Sequence, residues 1–427
     1  MAHQLLNWRL NAVLAGLTLL TPVTIHLFFP VIPVLKADFG LSDALAQLTF
    51  SVGVVALAFS TLVYGALGDR YGRRPVLLAG LTLFLLGSVI TALVTSFAAL
   101  LAGRLVQAVG AGCGITLARA IARDIYGAEG LVKAIAYLTL CFALGGLTAP
   151  GIGGIMVDYF GWRSVFALAS VAGLAAITGT CFVIPKSAAR EPADRSAPMT
   201  AGLLELMHYP RFCALVVQTG CSTGTFLTLA TASSVFMKEL LHRPATEFGF
   251  YFSVMPIGFI IGTVISTQIA NRASIEWMVL VGSGVTLAAV AVQSILLLLG
   301  PVTPLVLFVP GAFITCAQGL SLPFAQAGAM ATVPRLGGTA AGIGVFMQNF
   351  MGAGVAQIYG MLADGTSIPL VQTTVAIAIL GLLSALLAFR ADQGARWLQR
   401  ASADGGPSHG GLDLPRGSES SCLRPNH

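Results

Sequence analysis

The sequence predicts an all-α membrane protein that crosses the bilayer twelve times. Of its 427 residues, 56% are hydrophobic and only 9% are charged, whereas a soluble globular domain carries about 25% charged residues. The apolar stretches run for about twenty residues, which is the length of a spanning helix, whereas barrel strands alternate over about ten. Together they suffice for about twelve spans. These observations exclude a single-anchor protein and a large soluble domain, and they argue against a membrane β-barrel.

The apolar stretches fall into two groups of six. The first group covers residues 11–34, 46–67, 76–95, 98–119, 134–157 and 163–184. The second group covers residues 212–236, 248–270, 276–299, 303–325, 338–361 and 368–389. This grouping predicts an N-terminal six-helix unit over residues 1–184 and a C-terminal six-helix unit over residues 212–390.

Two polar segments lie outside these units. Residues 185–211 are rich in charged residues, alanine and proline, which predicts a solvated cytoplasmic linker between the halves. Residues 391–427 contain few apolar residues and a glycine-rich stretch, which predicts a disordered cytoplasmic tail.

Lysine and arginine residues predict the orientation of the chain. Eighteen of the 23 lie in alternate loops and near the termini, four lie in the other loops, and Arg104 lies inside the fourth span. Positively charged loops remain in the cytoplasm. We therefore expect both termini to be cytoplasmic, which itself requires an even number of spans.

Several other functional classes find no support in the sequence. The net charge of +6 is spread between apolar stretches, so no nucleic-acid binding is predicted. The seven cysteines form no C-x-x-C pair and lie almost wholly in apolar stretches, which predicts buried thiols and no metal site. Neither a G-x-x-x-x-G-K-[ST] motif nor a catalytic constellation occurs, so we expect no ATPase motor, no cofactor and no enzymatic activity.

A charged loop joins the predicted second and third spans. Residues 65–77 read G-A-L-G-D-R-Y-G-R-R-P-V-L. Gly65 would let two helices approach closely, and Gly72 would permit a tight turn. Asp69 could cap a helix while it pairs with an arginine. Charge retention alone would need neither the glycines nor Asp69.

This loop resembles the G-x-L-x-D-R-x-G-R-R signature of the major facilitator superfamily, at the cytoplasmic position where that family has it. Residues 104–110 are similar to its fourth-helix motif, and residues 119–126 to the Bcr/CflA group of drug exporters. By this resemblance we expect a gate on the cytoplasmic side. Its candidate residues are Gly65, Asp69, Arg70, Gly72, Arg73 and Arg74.

The predicted fifth span is rich in glycine. Residues 145–154 read G-G-L-T-A-P-G-I-G-G and resemble the antiporter motif g-x-x-x-G-P-x-x-G-G, which is typical of exporters. Ala149 stands where the motif has glycine, so close packing and a kink remain possible while backbone freedom falls. The candidate residues of this motif are Gly145, Pro150, Gly153 and Gly154.

The resemblance implies two six-helix bundles around a central cavity and proton-driven export by alternating access across a bacterial inner membrane. The expected partners are a small amphiphilic substrate, protons and the lipid bilayer, and the expected state is a monomer. A second possibility within the same fold is export of a metabolite such as an amino acid, a nucleoside or a sugar. A receptor or scaffold would need neither the charged loop nor the glycine-rich span.

Two ionisable residues inside the spans are candidates for a proton or substrate site, because such groups are costly in a bilayer. His26 precedes Pro30 and Pro33 where Bcr/CflA relatives carry an acidic residue. Its imidazole could titrate near neutral pH and carry a proton, or it could be a neutral interior group. Arg104 stays charged, so it could bond to carbonyl groups of the first helix, set the electric field at His26, or act structurally.

Uncharged polar side chains in the second half suit a lipophilic, weakly polar ligand, although each of them taken singly is better explained by hydrogen bonds between helices. They are Gln218, Gln268, Gln318, Gln348, Asn349 and Gln357. Aromatic residues could pack in the core or form a platform for a substrate. These are Phe28, Phe29, Phe226, Phe346 and Phe350.

Overall fold

The described part of the chain consists of helices, and short connections join them within each half. The structure is a computed structural model that describes residues 8–185, 204–269, 272–333 and 336–403. The first half contains α1 Trp8–Ile25, α2 Ile32–Phe39, α3 Asp43–Tyr71, α4 Arg73–Leu93, α5 Phe97–Phe160 and α6 Trp162–Val183. The second half contains α7 Pro210–Glu239, α8 Ala245–Phe252, α9 Val254–Ile269, α10 Ile275–Leu299, α11 Pro304–Thr332, α12 Gly337–Leu362 and α13 Ile368–Ala403.

Short sequence signals mark where these helices begin. Ser42, Ser96, Ser274 and Thr303 each accept a hydrogen bond from the amide three residues later, at the starts of α3, α5, α10 and α11. Such side chains satisfy amides that the first helical turn leaves unpaired. Within each half, only a few residues separate one helix from the next.

Eleven helical segments of the described chain are long and apolar enough to cross a membrane. α1 and α2 together form the span Trp8–Phe39, and α8 and α9 form Ala245–Ile269. The long α5 contributes two spans, Phe97–Tyr126 and Tyr137–Phe160. α12 has 26 residues without a charged side chain and lies along α3, which is consistent with a twelfth span. The predicted all-α, multi-pass fold is confirmed.

The two parts of α5 run in opposite directions. Its first part is antiparallel to α1, because Gly114 lies against Leu17 whereas Arg104 contacts Thr24. Its second part is parallel to α1, because Gly145 lies against Pro22 and Gly153 lies against the carbonyl oxygen of Leu27. The first helix is thus held between two spans of α5.

The two ends of the bundle differ in how the halves meet. We call one the Gly40 end, with the turn between α2 and α3, and the other the Gly72 end, with the turn between α3 and α4. One hydrophobic cluster combines both halves at the Gly40 end, for example Leu35 with Phe236. Two further clusters, around Leu77 and around Val333, belong to one half each and lie towards the Gly72 end. The core is therefore shared at the Gly40 end and divided at the Gly72 end.

The described chain differs from the sequence-based boundaries at the two polar segments. Helix α13 continues to Ala403, beyond the predicted start of the tail at 391, because residues 391–403 contain no proline and are rich in helix-forming residues. A short helix also occupies residues 204–207, within the predicted linker. Linker residues 186–203 and tail residues 404–427 lie outside the described part.

Candidate transport site

A break in the first span places His26 between the two halves. Helix α1 ends at Ile25 and α2 begins at Ile32, with a 3-10 turn at Phe29–Val31 between them. Pro30 and Pro33 cause the break, because proline has no amide hydrogen for a helical bond. The His26 ring stacks on the Phe29 ring, with 5.6 Å between the ring centres. It also makes an edge contact with the ring of Phe226, which belongs to α7 of the other half, with 6.0 Å between the ring centres.

One nitrogen of His26 has no hydrogen-bond partner within the described chain. Its Nδ1 atom is buried and unpaired. The ring lies against residues 145–154, named the antiporter motif after their resemblance to it, since a Cβ atom on Gly146 would be 3.1 Å from both Nδ1 and Cε1. A buried polar atom without a partner is uncommon in proteins and is available to a ligand, a water molecule or a proton. The antiporter motif therefore leaves room for this imidazole through the absence of a side chain at Gly146.

Arg104 holds the broken first span in place. Its guanidinium group donates to the carbonyl oxygens of Thr24, at 3.3 and 3.4 Å, and of Thr49, at 3.4 Å. It also donates to Gln107 Oε1 at 2.7 Å, and its charge lies 3.9 Å from the centre of the Phe28 ring. The side chain is 1% exposed. Thr24 lies at the end of α1, where carbonyl groups lack helical partners, so a buried cation satisfies its carbonyl oxygen well.

Two of the predicted gate residues, Asp69 and Arg73, form a charged cluster with Asp124 at the Gly72 end. Arg73 bonds to Asp69 and, at 3.2 Å, to Asp124 at the end of the first α5 span. Arg74 does not join this cluster but donates to the carbonyl oxygen of Cys181, at 2.7 Å. Arg70 lies over the ring of Tyr71. The cluster therefore ties α3, α4 and α5 together within one half.

Of the two glycines predicted to shape the gate loop, Gly72 acts as expected and Gly65 does not. Gly72 has a φ of 91°, so the predicted tight turn is present. Gly65 does not bring two helices unusually close, because a Cβ atom there would make an ordinary 4.0 Å contact with Thr116. The close approach occurs one turn later at Gly68, where a Cβ atom would be 2.7 Å from Leu117.

The antiporter motif presents two faces. Gly145 and Gly153 lie against the first span, where Cβ atoms would be 2.6 Å from Pro22 in α1 and from the carbonyl oxygen of Leu27 in the break that follows it. Gly154 faces α8 of the other half, where a Cβ atom would overlap the carbonyl oxygen of Ala245. The buried Pro150 also lies on this second face. A Cβ atom added to Gly249 of α8 would be 2.6 Å from the carbonyl oxygen of Pro150.

Polar bonds connect the halves at the Gly40 end. Lys36 on α2 bonds to Asp43 at 2.6 Å and to Glu239, at the end of α7, at 2.9 Å. Gln357 donates to the carbonyl oxygen of Ala44 at 3.0 Å. Ser234 donates to the carbonyl oxygen of Phe29 at 2.6 Å. These bonds accompany the shared hydrophobic cluster and close that end.

Most of the predicted polar residues in the second half form hydrogen bonds with other groups of the protein. Gln218 donates to Ser283, Gln318 donates to the carbonyl oxygen of Ser222, and Gln348 accepts from Gln326. Asn349 bonds to its own helix at Val345, and Gln268 is exposed. Phe346 and Phe350 pack on Phe59 across the halves.

Sequence reasoning missed two sets of residues. The first set consists of buried hydroxyl and amide atoms that lie on the helices between the halves and have no partner in the described chain: those of Thr21, Gln47, Ser51, Thr228 and Ser233. Small hydroxyl residues are too common in spans to be singled out. Glu276, 2% exposed, is paired with Arg211 at the start of α7. Glu276 lies at the first residue of a predicted span, where a charged side chain is expected to be exposed, so the sequence did not predict its burial.

The described residues contain no group of three or more potential metal-ligating side chains. The arrangement is instead that of two helical halves with unpaired polar atoms and aromatic rings between them. A family model decides the identity of this arrangement: the Major Facilitator Superfamily model matches residues 14–356. The chain belongs to the major facilitator superfamily. The chain is thus a transporter and not an enzyme, and the predicted family resemblance is confirmed.

Curated relatives of this superfamily member include drug-resistance proteins. The bicyclomycin resistance protein homolog of Haemophilus influenzae (strain ATCC 51907 / DSM 11121 / KW20 / Rd) is 25% identical over 376 residues, 86% of this chain and 93% of that protein. The multidrug resistance protein MdtL of Escherichia coli O81 (strain ED1a) is 30% identical over 242 residues, 57% of this chain and 61% of that protein.

Solved structures share the fold at low identity. A mutant form of the nucleoside transporter NupG superposes with a TM-score of 0.74 at 14% identity, covering 90% of this chain and 99% of that one. A bacterial homolog of the human lysosomal transporter Spinster, in an inward-facing and unoccupied conformation, superposes with a TM-score of 0.72 at 16% identity. The match covers 91% of this chain and 98% of that one. At such identities these likenesses establish the fold alone.

Proposed function

We propose that this transporter exports amphiphilic small molecules in exchange for protons across a bacterial inner membrane. Both termini would lie in the cytoplasm, so the Gly72 end would be cytoplasmic and the Gly40 end periplasmic. The names of the curated relatives support drugs over metabolites as substrates. Glycine-rich motifs like residues 145–154 are typical of exporters, which supports the direction of transport.

One observation carries the assignment of a site: the unpaired, buried Nδ1 atom of His26. It lies on the broken first span, against the antiporter motif at Gly146 and the Phe226 ring of the other half. An imidazole in this position can exchange a proton or hydrogen-bond a substrate. The ring of Phe226, which is only partly buried, offers a flat apolar surface to an amphiphile, whereas Phe29 is fully buried and supports the His26 ring from behind.

The charges in this region favour neutral or weakly polar substrates. Arg104 is a permanent cation whose bonds are to carbonyl groups, Gln107 and an aromatic ring. A strongly cationic substrate would meet this charge without the acidic residue that Bcr/CflA relatives carry at the position of His26. Ordinary Coulomb repulsion in a poorly hydrated site would then oppose its binding.

Two experiments test the proposal. An efflux-deficient bacterium that expresses the protein should grow at higher concentrations of some antibiotics and dyes than the same strain with an empty vector. Inside-out vesicles should accumulate those compounds only while a pH gradient is present. Equal accumulation after the gradient is collapsed would contradict proton coupling, and unchanged growth across a broad panel would contradict drug export.

A further inference from the structure

The residue that precedes helix α8 cannot cap it. Pro244 occupies the N-cap position and offers no side-chain hydrogen bond to the first turn. The amides of the first turn of a helix have no helical partners and need an acceptor from elsewhere. In α8 that acceptor comes from the opposite half of the molecule.

The acceptor is the carboxylate of Asp158, near the end of α5. Its Oδ1 atom accepts from the amide of Ala245 at 3.1 Å, and its Oδ2 atom accepts from the amide of Thr246 at 2.6 Å. Both oxygens are therefore used by one helix terminus. A carboxylate at the start of a helix is also favoured by the partial positive charge there.

Small residues of the antiporter motif bring the two helices into contact. Gly151, Gly154 and Asp158 follow one another at intervals of three and four, so they lie on one face of α5. Gly151 lies against Gly249, and Gly154 lies against Ala245. The motif and Asp158 thus form one continuous strip along α8.

We propose that Asp158 is a positioning residue for transport: it holds the Gly40 end closed by capping α8, and the cap breaks each time that end opens. The inference rests on alternating access, as does the proposed function. Because α5 and α8 belong to different halves, their bonds cannot survive separation of the halves at this end. In this proposal, the small residues of the antiporter motif let α5 and α8 pack closely, and the hydrogen bonds of Asp158 stabilise the closed end.

The test measures the distance between the halves at the Gly40 end. Spin labels would be attached at Leu93→Cys, at the end of α4, and Leu299→Cys, at the end of α10, after the native cysteines are replaced by alanine. These side chains are 75% and 84% exposed and lie outside the α5–α8 contact. Electron paramagnetic resonance of the full chain in lipid nanodiscs would give the distance distribution.

Asp158→Ala should raise the ratio of long to short distances by about tenfold, because hydrogen bonds to a charged group are the strong ones. Asp158→Asn should cause a smaller rise, since one acceptor oxygen remains. Asp38 provides a matched control. It lies at the same end and accepts a 2.7 Å hydrogen bond from Trp162 Nε1, but within one half. Asp38→Ala should leave the distribution unchanged.

A second variant keeps the test decisive if Asp158→Ala folds poorly. Ala245→Pro removes one of the two capped amides, and proline is tolerated at the first position of a helix. It should shift the distances in the same direction as Asp158→Ala. Unchanged distances in both variants, or an equal shift in Asp38→Ala, would overturn the inference.

The distance measurement needs neither a substrate nor a proton gradient. Failure of the proposed function would therefore appear as absent drug transport with an intact response of the distances to Asp158→Ala. Failure of this inference would appear as unchanged distances, whether or not the parent chain transports a drug.

Discussion

Arg104 donates hydrogen bonds to the carbonyl oxygen of Thr24, 80 residues away in the chain. This contact joins the first part of α5 to the point where the first span breaks, two residues before His26. Gln107 extends the contact by donating to Ser88 on α4 at 2.9 Å. The bonds of Arg104 thus fix the backbone that carries the candidate site.

Replacement of Arg104 by lysine should destabilise the protein although the charge is kept. Lysine lacks the planar fork of donors that reaches Thr24, Thr49 and Gln107 together. We expect a loss of about 1.5–3 kcal/mol, the value of hydrogen bonds to a charged group. Thermal unfolding in detergent would measure it.

Arg163→Lys is the control for this change. Arg163 is exposed and donates a single 3.1 Å hydrogen bond to the carbonyl oxygen of Val94. Its replacement should change stability by less than about 0.5 kcal/mol. Equal stability of the parent, Arg104→Lys and Arg163→Lys would show that the buried bonds of Arg104 add little.

Replacement of His26 by glutamine should separate binding from proton coupling. Glutamine can still hydrogen-bond a substrate but cannot titrate. We expect substrate binding within about threefold of the parent and loss of transport driven by a pH gradient, to be measured in vesicles. His208→Gln is the control, because His208 is exposed and bonds only locally, to Leu204, in the described chain.

Replacement of His26 by aspartate should act differently. It would restore the acidic residue that the family resemblance leads one to expect, and the charge would attract a cation. We expect the preference among substrates to move towards cationic drugs, as measured by competition for transport. Unchanged selectivity, together with pH-driven transport in His26→Gln, would place the proton and substrate site elsewhere.

The sequence predicted the fold well because bilayers impose strong constraints. Apolar stretches of about twenty residues and the distribution of arginines are properties of the chain itself. The position of His26 just before Pro30 and Pro33 is likewise visible in the sequence, and two closely spaced prolines remove amide donors that a continuous helix would need. The bonds of Arg104 to carbonyl groups of α1 were one of the alternatives that its fixed charge allowed.

Contacts between distant helices could not be predicted in the same way. Nothing local in the sequence shows that Asp158 caps α8 or that Glu276 pairs with Arg211, because each bond depends on how the spans pack. Arg73 and Arg74 are adjacent and chemically identical, yet only Arg73 faces Asp69. Their different partners follow from the direction in which successive residues of a helix point.

Replacement of Gly154 by alanine should disturb the closed Gly40 end. The added Cβ atom would overlap the carbonyl oxygen of Ala245, and backbone cannot move aside as a flexible side chain can. Overpacking of this kind costs about 1–3 kcal/mol. Gly151→Ala is the control in the same helix, because the backbone of Gly151 lies against Gly249 but a Cβ atom on Gly151 would meet nothing within 4 Å. Transport should fall in the first variant only.

The charged cluster at the Gly72 end should matter more for transport than for stability. Asp69 is 61% exposed, so its pair with Arg73 should contribute no more than about 1 kcal/mol to folding. Asp69→Asn should therefore unfold at nearly the same temperature as the parent. If the cluster stabilises one conformation of the cycle, the transport rate should nevertheless fall several-fold.

A double-mutant cycle of Asp69→Asn and Arg73→Gln tests this role of the pair. The effects on transport should be strongly non-additive, because either change alone breaks the same bond. Asp69→Asn with Arg74→Gln should be nearly additive, since Arg74 donates to Cys181 instead. Additive effects in both cycles would indicate that the charges of this loop serve only to orient the chain in the membrane. A fall in stability that parallels the fall in transport would show that the pair supports the fold and not a step of the cycle.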